Sequence, residues 1–113
     1  MQANTLKPTS RNNTMLYAII STDVPNSLEL RLPVRPQHLQ RLKNLEKNGQ
    51  LIIAGPHPNI DSSDPGDSGF SGSLIIAESE SLDAATEWAN ADPYVDAGVY
   101  QEVTIKPFIK VLP

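Results

Sequence analysis

Two histidines, His38 and His57, thirteen acidic residues and no cysteine make up the acid–base inventory of this chain. It excludes a thiol nucleophile, a disulfide scaffold, an iron–sulfur cluster and any Cys-type zinc site. His38 follows Arg35-Pro36-Gln37, and proline suits the first turn of a helix, so the imidazole falls in that turn. With His38 at zero and about 100° per residue, Leu45 lies at about −20°, Leu42 at about 40° and Leu39 at about 100°, which puts His38 inside the apolar stripe. Burial and the positive end of the helix dipole both favour a neutral imidazole there, and a neutral histidine is a usable general base. The same position suits a core histidine hydrogen-bonded to backbone.

Asp92 is the candidate partner. It sits at the C-terminal end of a second predicted helix, where the dipole disfavours a carboxylate and something must compensate, His38 or Arg35. Asp92-Pro93 also suits an Asx-type turn. Tyr94 and Tyr100 carry hydroxyls that can donate to an oxygenated substrate or simply pack. His57, between Pro56 and Pro58, either lines the same cleft or stands exposed in a loop. Asp61, Asp64 and Asp67 lack the alternation and closing glutamate of a calcium loop and read as solvated turn residues. With no Gly-rich phosphate loop and no serine nucleophile elbow, neither a metal nor a cofactor is expected.

The elements that must position these residues follow from periodicity. Met15 to Ile20 is a short apolar run that reads as a first strand, closed by Asp23-Val24-Pro25-Asn26. A helix runs from Pro36 to a stop at Asn48-Gly49. Leu51 to Ala54 is a second strand ending at Gly55-Pro56, residues 59–69 are a loop, and Ser73 to Ala77 is a third strand. Ser81 caps a second helix whose stripe is Leu82, Ala85, Trp88 and Ala89, ended by Pro93. Val103, Ile105, Ile109 and Val111 alternate with polar residues as a one-sided last strand. The order βαββαβ predicts an α+β, ferredoxin-like domain, a four-stranded antiparallel sheet with two helices on one face. The first three strands are apolar at both parities, so the uncovered face predicts a sheet-to-sheet homodimer.

Several segments together resemble the YCII-related (YciI-like) family. They are Met15-Leu16-Tyr17, Arg35-Pro36-Gln37-His38-Leu39, Ala54-Gly55-Pro56, Asp64-Pro65-Gly66, Gly69-Phe70-Ser71-Gly72-Ser73, Ala91-Asp92-Pro93-Tyr94, Ala97-Gly98-Val99-Tyr100 and Lys106-Pro107-Phe108. The resemblance spans Met15 to the C-terminus. It implies a dimeric α+β barrel, an active site built on a His–Asp pair, and kinship to dehydrochlorinases and isomerases of small oxygenated ring compounds. On that reading His38 and Asp92 are catalytic, and Arg35, His57, Ser73 and Tyr94 bind substrate. The competing expectation is a noncatalytic small-ligand-binding or regulatory dimer using the same cleft.

Composition bounds the rest. A chain of 113 residues, 39% hydrophobic and 19% charged, is one domain and buries roughly two thirds of its unfolded surface. A net charge of −4 with 5% aromatics argues against nucleic acid as a partner, and no apolar run approaches the roughly 18 to 20 residues of a membrane span. A cytoplasmic protein is the expectation. Residues 1–14 hold Lys7 and Arg11 but no acid and read as a disordered extension before a start at Met15. The domain proper spans 15–113.

Overall fold

The computed structural model describes residues 14–113; the expectation for the extension, Thr14 aside, lies outside the described residues. Strand β1 (Met15–Asp23) is followed by a short helix α1 (Leu28–Arg31), a 3-10 turn (Leu32–Val34) and helix α2 (Arg35–Lys47). Strands β2 (Leu51–Pro58) and β3 (Phe70–Ser79) come next, then α3 (Leu82–Asn90), the short α4 (Pro93–Asp96) and β4 (Tyr100–Phe108). The sheet order is β2-β3-β1-β4 with every neighbouring pair antiparallel, which is the ferredoxin-like arrangement.

Directly opposed residues of an antiparallel pair share a face. One face carries Ile19, Ile75 and Ala77, buried with Ala89 of α3, and Leu42, Leu45, Trp88, Val103 and Ile105 pack against them. The other face presents Leu16, Ala18 and Ile20 of β1, Leu74 and Ile76 of β3, Ile53 of β2 and Phe108 of β4. Ile53 at the edge is 58% exposed. The strands are two-sidedly apolar, as their composition predicts, and among the described residues helices cover one side only.

Strand ends differ from expectation for reasons of pairing. β2 runs through Gly55-Pro56 to Pro58 rather than ending there, because it is an edge strand and a proline's missing donor costs nothing on the open edge. β4 starts at Tyr100 and stops at Phe108, so Ile109 and Val111 lie beyond it, 75% and 83% exposed. Its last partner is Leu16, one residue from the start of β1, and the ladder runs out there. In α2, Leu39 is exposed and His38 is the buried residue. Pro93 does not simply end the second helix: that helix stops at Asn90, and Pro93 opens α4.

Gly72 lies where β3 meets the end of β1. A Cβ there would stand 2.0 Å from the Ser21 carbonyl oxygen, a backbone atom that the ladder holds. Gly72→Ala should therefore lower the thermal midpoint, at a cost of about 1–3 kcal/mol or more. An unchanged midpoint would show that the β1–β3 pair can relax at this point.

Candidate active site

The first turn of α2 carries His38, and its ring is turned inward against the α3–α4 junction. Its Nδ1 lies 2.9 and 2.8 Å from the two oxygens of Asp92, and both side chains are almost wholly buried. A carboxylate only accepts, so Nδ1 carries the proton and Nε2 is the basic nitrogen. Among the described residues Nε2 bonds to no protein group, and it is not sealed from solvent.

Asp92 is both the Asx-turn residue and the partner that the sequence offered as alternatives. It is the N-cap of α4, and its Oδ1 accepts from the Tyr94 N–H at 2.9 Å. The carboxylate thus faces the positive end of α4 instead of stranding at the negative end of α3. Arg41, three residues after His38 on α2, brings Nη1 within 3.4 Å of Asp92 Oδ2. Its Nη2 donates to the Trp88 carbonyl at 2.7 Å, and its guanidinium lies 4.2 Å over the indole ring. Arg41 was not marked by any local pattern; its spacing of one turn from His38 was the only available signal.

Tyr94 stacks on His38, ring centroids 4.0 Å apart and 12° from parallel. Tyr100 meets Tyr94 edge-on at 5.7 Å, and its hydroxyl is 3.4 Å from Ser73 Oγ. Burial raises the Tyr94 hydroxyl above its ordinary value, against the lowering pull of Arg31 and Arg35. Burial likewise pushes Tyr100 up to about 12, partly offset by its bond to Ser73.

A second buried charge cluster adjoins this one. Arg31 donates from Nε to Asp23 Oδ2 at 2.7 Å, and from Nη2 to Asp23 Oδ1 at 3.2 Å and to the Gly72 carbonyl at 3.1 Å. Ser27 donates to the same carboxylate at 2.6 Å. The guanidinium stands 5.0 Å from the rings of both Phe70 and Tyr94. Sequence reasoning missed Arg31, because burial of an arginine eight residues from its aspartate is decided by the sheet beneath it.

His38, Arg31, Arg35, Tyr94 and Ser73 line one cavity of about 130 Å³, whose remaining wall is largely apolar. Asp92 stands behind that wall. His57 is opposite Gly72 on β2, exposed, and does not line the cavity. A larger hollow of about 330 Å³ between α2, α3 and the sheet includes Arg41 and Trp88 but neither His38 nor Asp92. Asp61, Asp64 and Asp67 are exposed in the loop, and among the described residues no three His, Cys, Asp or Glu side chains gather as a metal site. Among those residues no helix is long and apolar enough to cross a membrane.

Comparison with known proteins supplies the context for this geometry. The family model described as the YCII-related domain matches residues 15–109. The chain is 60% identical over 97 residues to Protein YciI of Escherichia coli O6:H1 and of Shigella flexneri, covering 86% of this chain and 99% of each relative. An uncharacterized protein of Haemophilus influenzae is 55% identical over the same length and coverage. Among solved structures, 5-chloro-2-hydroxyhydroquinone dehydrochlorinase (TftG) from Burkholderia phenoliruptrix AC1100, in complex with 2,5-dihydroxybenzoquinone, superposes with a TM-score of 0.74 at 27% identity. The match covers 84% of this chain and 94% of that one.

The raised Tyr100 value has a consequence at high pH. Stability from its neutral hydroxyl is fully present below the ordinary 10.0 and is lost as pH rises to about 12, because the unfolded chain releases the proton first. Thermal midpoints should fall across that window. Tyr100→Phe should flatten the decline by roughly 2 kcal/mol at its upper end; a parallel decline in both proteins would contradict the burial argument.

Proposed function

This chain belongs to the YCII-related family, and from that premise we propose that it is a small cofactor-independent enzyme that moves protons on a small oxygenated ring compound. His38 is the general base, and Asp92 fixes its tautomer and stabilises the imidazolium that forms. The observation that carries this reading is the contact of Nδ1 with both Asp92 oxygens, which leaves Nε2 as the free basic nitrogen of a residue on the cavity wall. Arg35, Ser73 and Tyr94 bind the substrate. Tyr94 holds the imidazole flat from one side. A cavity of about 150 Å³ accommodates a benzene ring, so 130 Å³ in an open cleft suits a single ring rather than a nucleotide.

The chemistry is a lyase- or isomerase-type step. Nε2 takes a proton from a substrate O–H or C–H, and the electron pair left behind shifts through the conjugated system. In a dehydrochlorination that shift expels chloride, for a net loss of HCl; in an isomerisation His38 returns the proton to another carbon. The dehydrochlorinase complex with a dihydroxybenzoquinone supports this substrate class. In a screen of hydroxy- and chloro-substituted carbonyl and quinone compounds followed by absorbance and chloride release, His38→Ala should stay folded and lose about 10²–10⁴-fold in turnover. Asp92→Asn should lose a comparable part, since asparagine can keep the Tyr94 cap but not the negative charge. Binding with no turnover in the unaltered protein would instead leave a ligand-binding or regulatory module.

The functional unit we propose is a homodimer formed sheet to sheet. The support is the uncovered face, where Leu16, Ala18, Ile20, Leu74 and Ile76 form an apolar surface with Ile53 and Phe108 at the edges. His57 lies on this side of the sheet. Sedimentation should give twice the 12.3 kDa chain mass at micromolar concentration, and Ile76→Asp should give a folded monomer. A monomer without the substitution would overturn the dimer.

A further inference from the structure

The cavity walls are electrostatically one-sided. The chain is acidic overall, net −4, yet among the described residues the charged side chains on the cavity wall are Arg31 and Arg35, and no carboxylate lines it. Asp92 and Asp23, which neutralise their partners, are buried behind it at 3% and 6% exposure. The first turn of α2, the positive end of a thirteen-residue helix, adds to the same potential.

Arg31 is built for presentation rather than for structure alone. A guanidinium has three nitrogens in a rigid plane. Here Nε and Nη2 are fixed by Asp23 and the Gly72 carbonyl, and the guanidinium also bonds the Tyr94 hydroxyl, which lines the same cavity. The side chain is 6% exposed and lines the cavity. A guanidinium held in one orientation by these partners meets an incoming charged oxygen with its donors already in place, and charge-assisted bonds of this kind are the strong ones. Arg35 is exposed at the same cavity and has no carboxylate partner among the described residues, so it supplies the net positive charge that the Arg31–Asp23 pair lacks.

We infer that Arg31 and Arg35 form an oxyanion-recognition pair that selects ring compounds already carrying an ionised oxygen, such as hydroxyquinones, over neutral phenols of the same size. The inference rests on the reading of this cavity as the substrate site and adds to it the charge state of the substrate. Arg31 fixes the anionic oxygen directionally against the plane of the Tyr94 and Phe70 rings, and Arg35 draws the anion in from solvent. With the oxygen held on that side, the ring lies across the cavity toward His38.

Calorimetric titration at pH 7 tests this with two probes of one size: 2,5-dihydroxybenzoquinone, which is ionised, and hydroquinone, which is neutral. The unaltered protein should bind the ionised ring tighter by about tenfold or more, as one charge-assisted bond implies. Arg35→Gln should weaken the ionised ring several-fold and leave hydroquinone unchanged. Arg31→Lys keeps the charge beside Asp23 but loses the fork, and it should weaken the ionised ring about tenfold. If circular dichroism shows that this variant does not fold, the pair Asp23→Asn with Arg31→Gln removes both charges together and should show the same loss. Equal affinity for the two rings, no binding of either, or arginine variants that bind the ionised ring normally would each overturn the inference. The catalytic reading fails separately: turnover that survives His38→Ala removes it while discrimination between the rings stands.

Discussion

The Asp92 carboxylate is the point on which the site depends. Three groups from three places converge on it: the His38 Nδ1–H from α2, the Tyr94 N–H from the first turn of α4, and the Arg41 guanidinium one turn further along α2. A carboxylate 3% exposed is stable only when such partners replace water. Meeting that requirement fixes the tautomer of His38 and draws α2 against the α3–α4 junction. It also sets the Tyr94 ring flat on the imidazole.

A second buried carboxylate, Asp23, repeats the arrangement at the end of β1. It takes two bonds from Arg31 and one from Ser27, and Arg31 continues to the Gly72 carbonyl of β3. Buried ion pairs of this kind contribute little net stability, because desolvation offsets most of their attraction. Their value here is positional. Each aspartate is kept behind the cavity wall while His38 and Arg31 face it, so an acidic chain presents a positive, hydrogen-bond-donating pocket. Polarity on the helix-covered side of the sheet is thereby confined to one end, while Ile19, Ile75 and Ala77 keep the rest apolar.

The two faces of the sheet differ. Its covered face supports the two helices that bring His38 and Asp92 together, and its other face is apolar with no helix among the described residues to cover it. Small residues mark where backbone must come close: Gly72 leaves no room for a side chain against Ser21, and it lends its carbonyl to Arg31.

What the sequence determined by itself was local. Period-two and period-3.6 patterns depend on near neighbours, so the order βαββαβ, the inward direction of His38 on its helix and the Ser81 cap were all legible, the last confirmed by the Ala84 N–H bonding to Ser81 Oγ at 2.9 Å. The family's motifs singled out Asp92 as a candidate site residue. Tertiary structure alone decided what depends on which segments lie side by side. The bond between His38 and Asp92 spans 54 positions, and Arg41 joined them only once α2 had docked on α3. The prolines of β2 entered a strand because that strand became an edge, and β4 ended where β1 gave out, leaving Ile109 and Val111 outside. Arg31 became a wall of the cavity, and His57 left it, for the same reason: the face to which a side chain points is set by strand register, and register is a contact between distant parts of the chain.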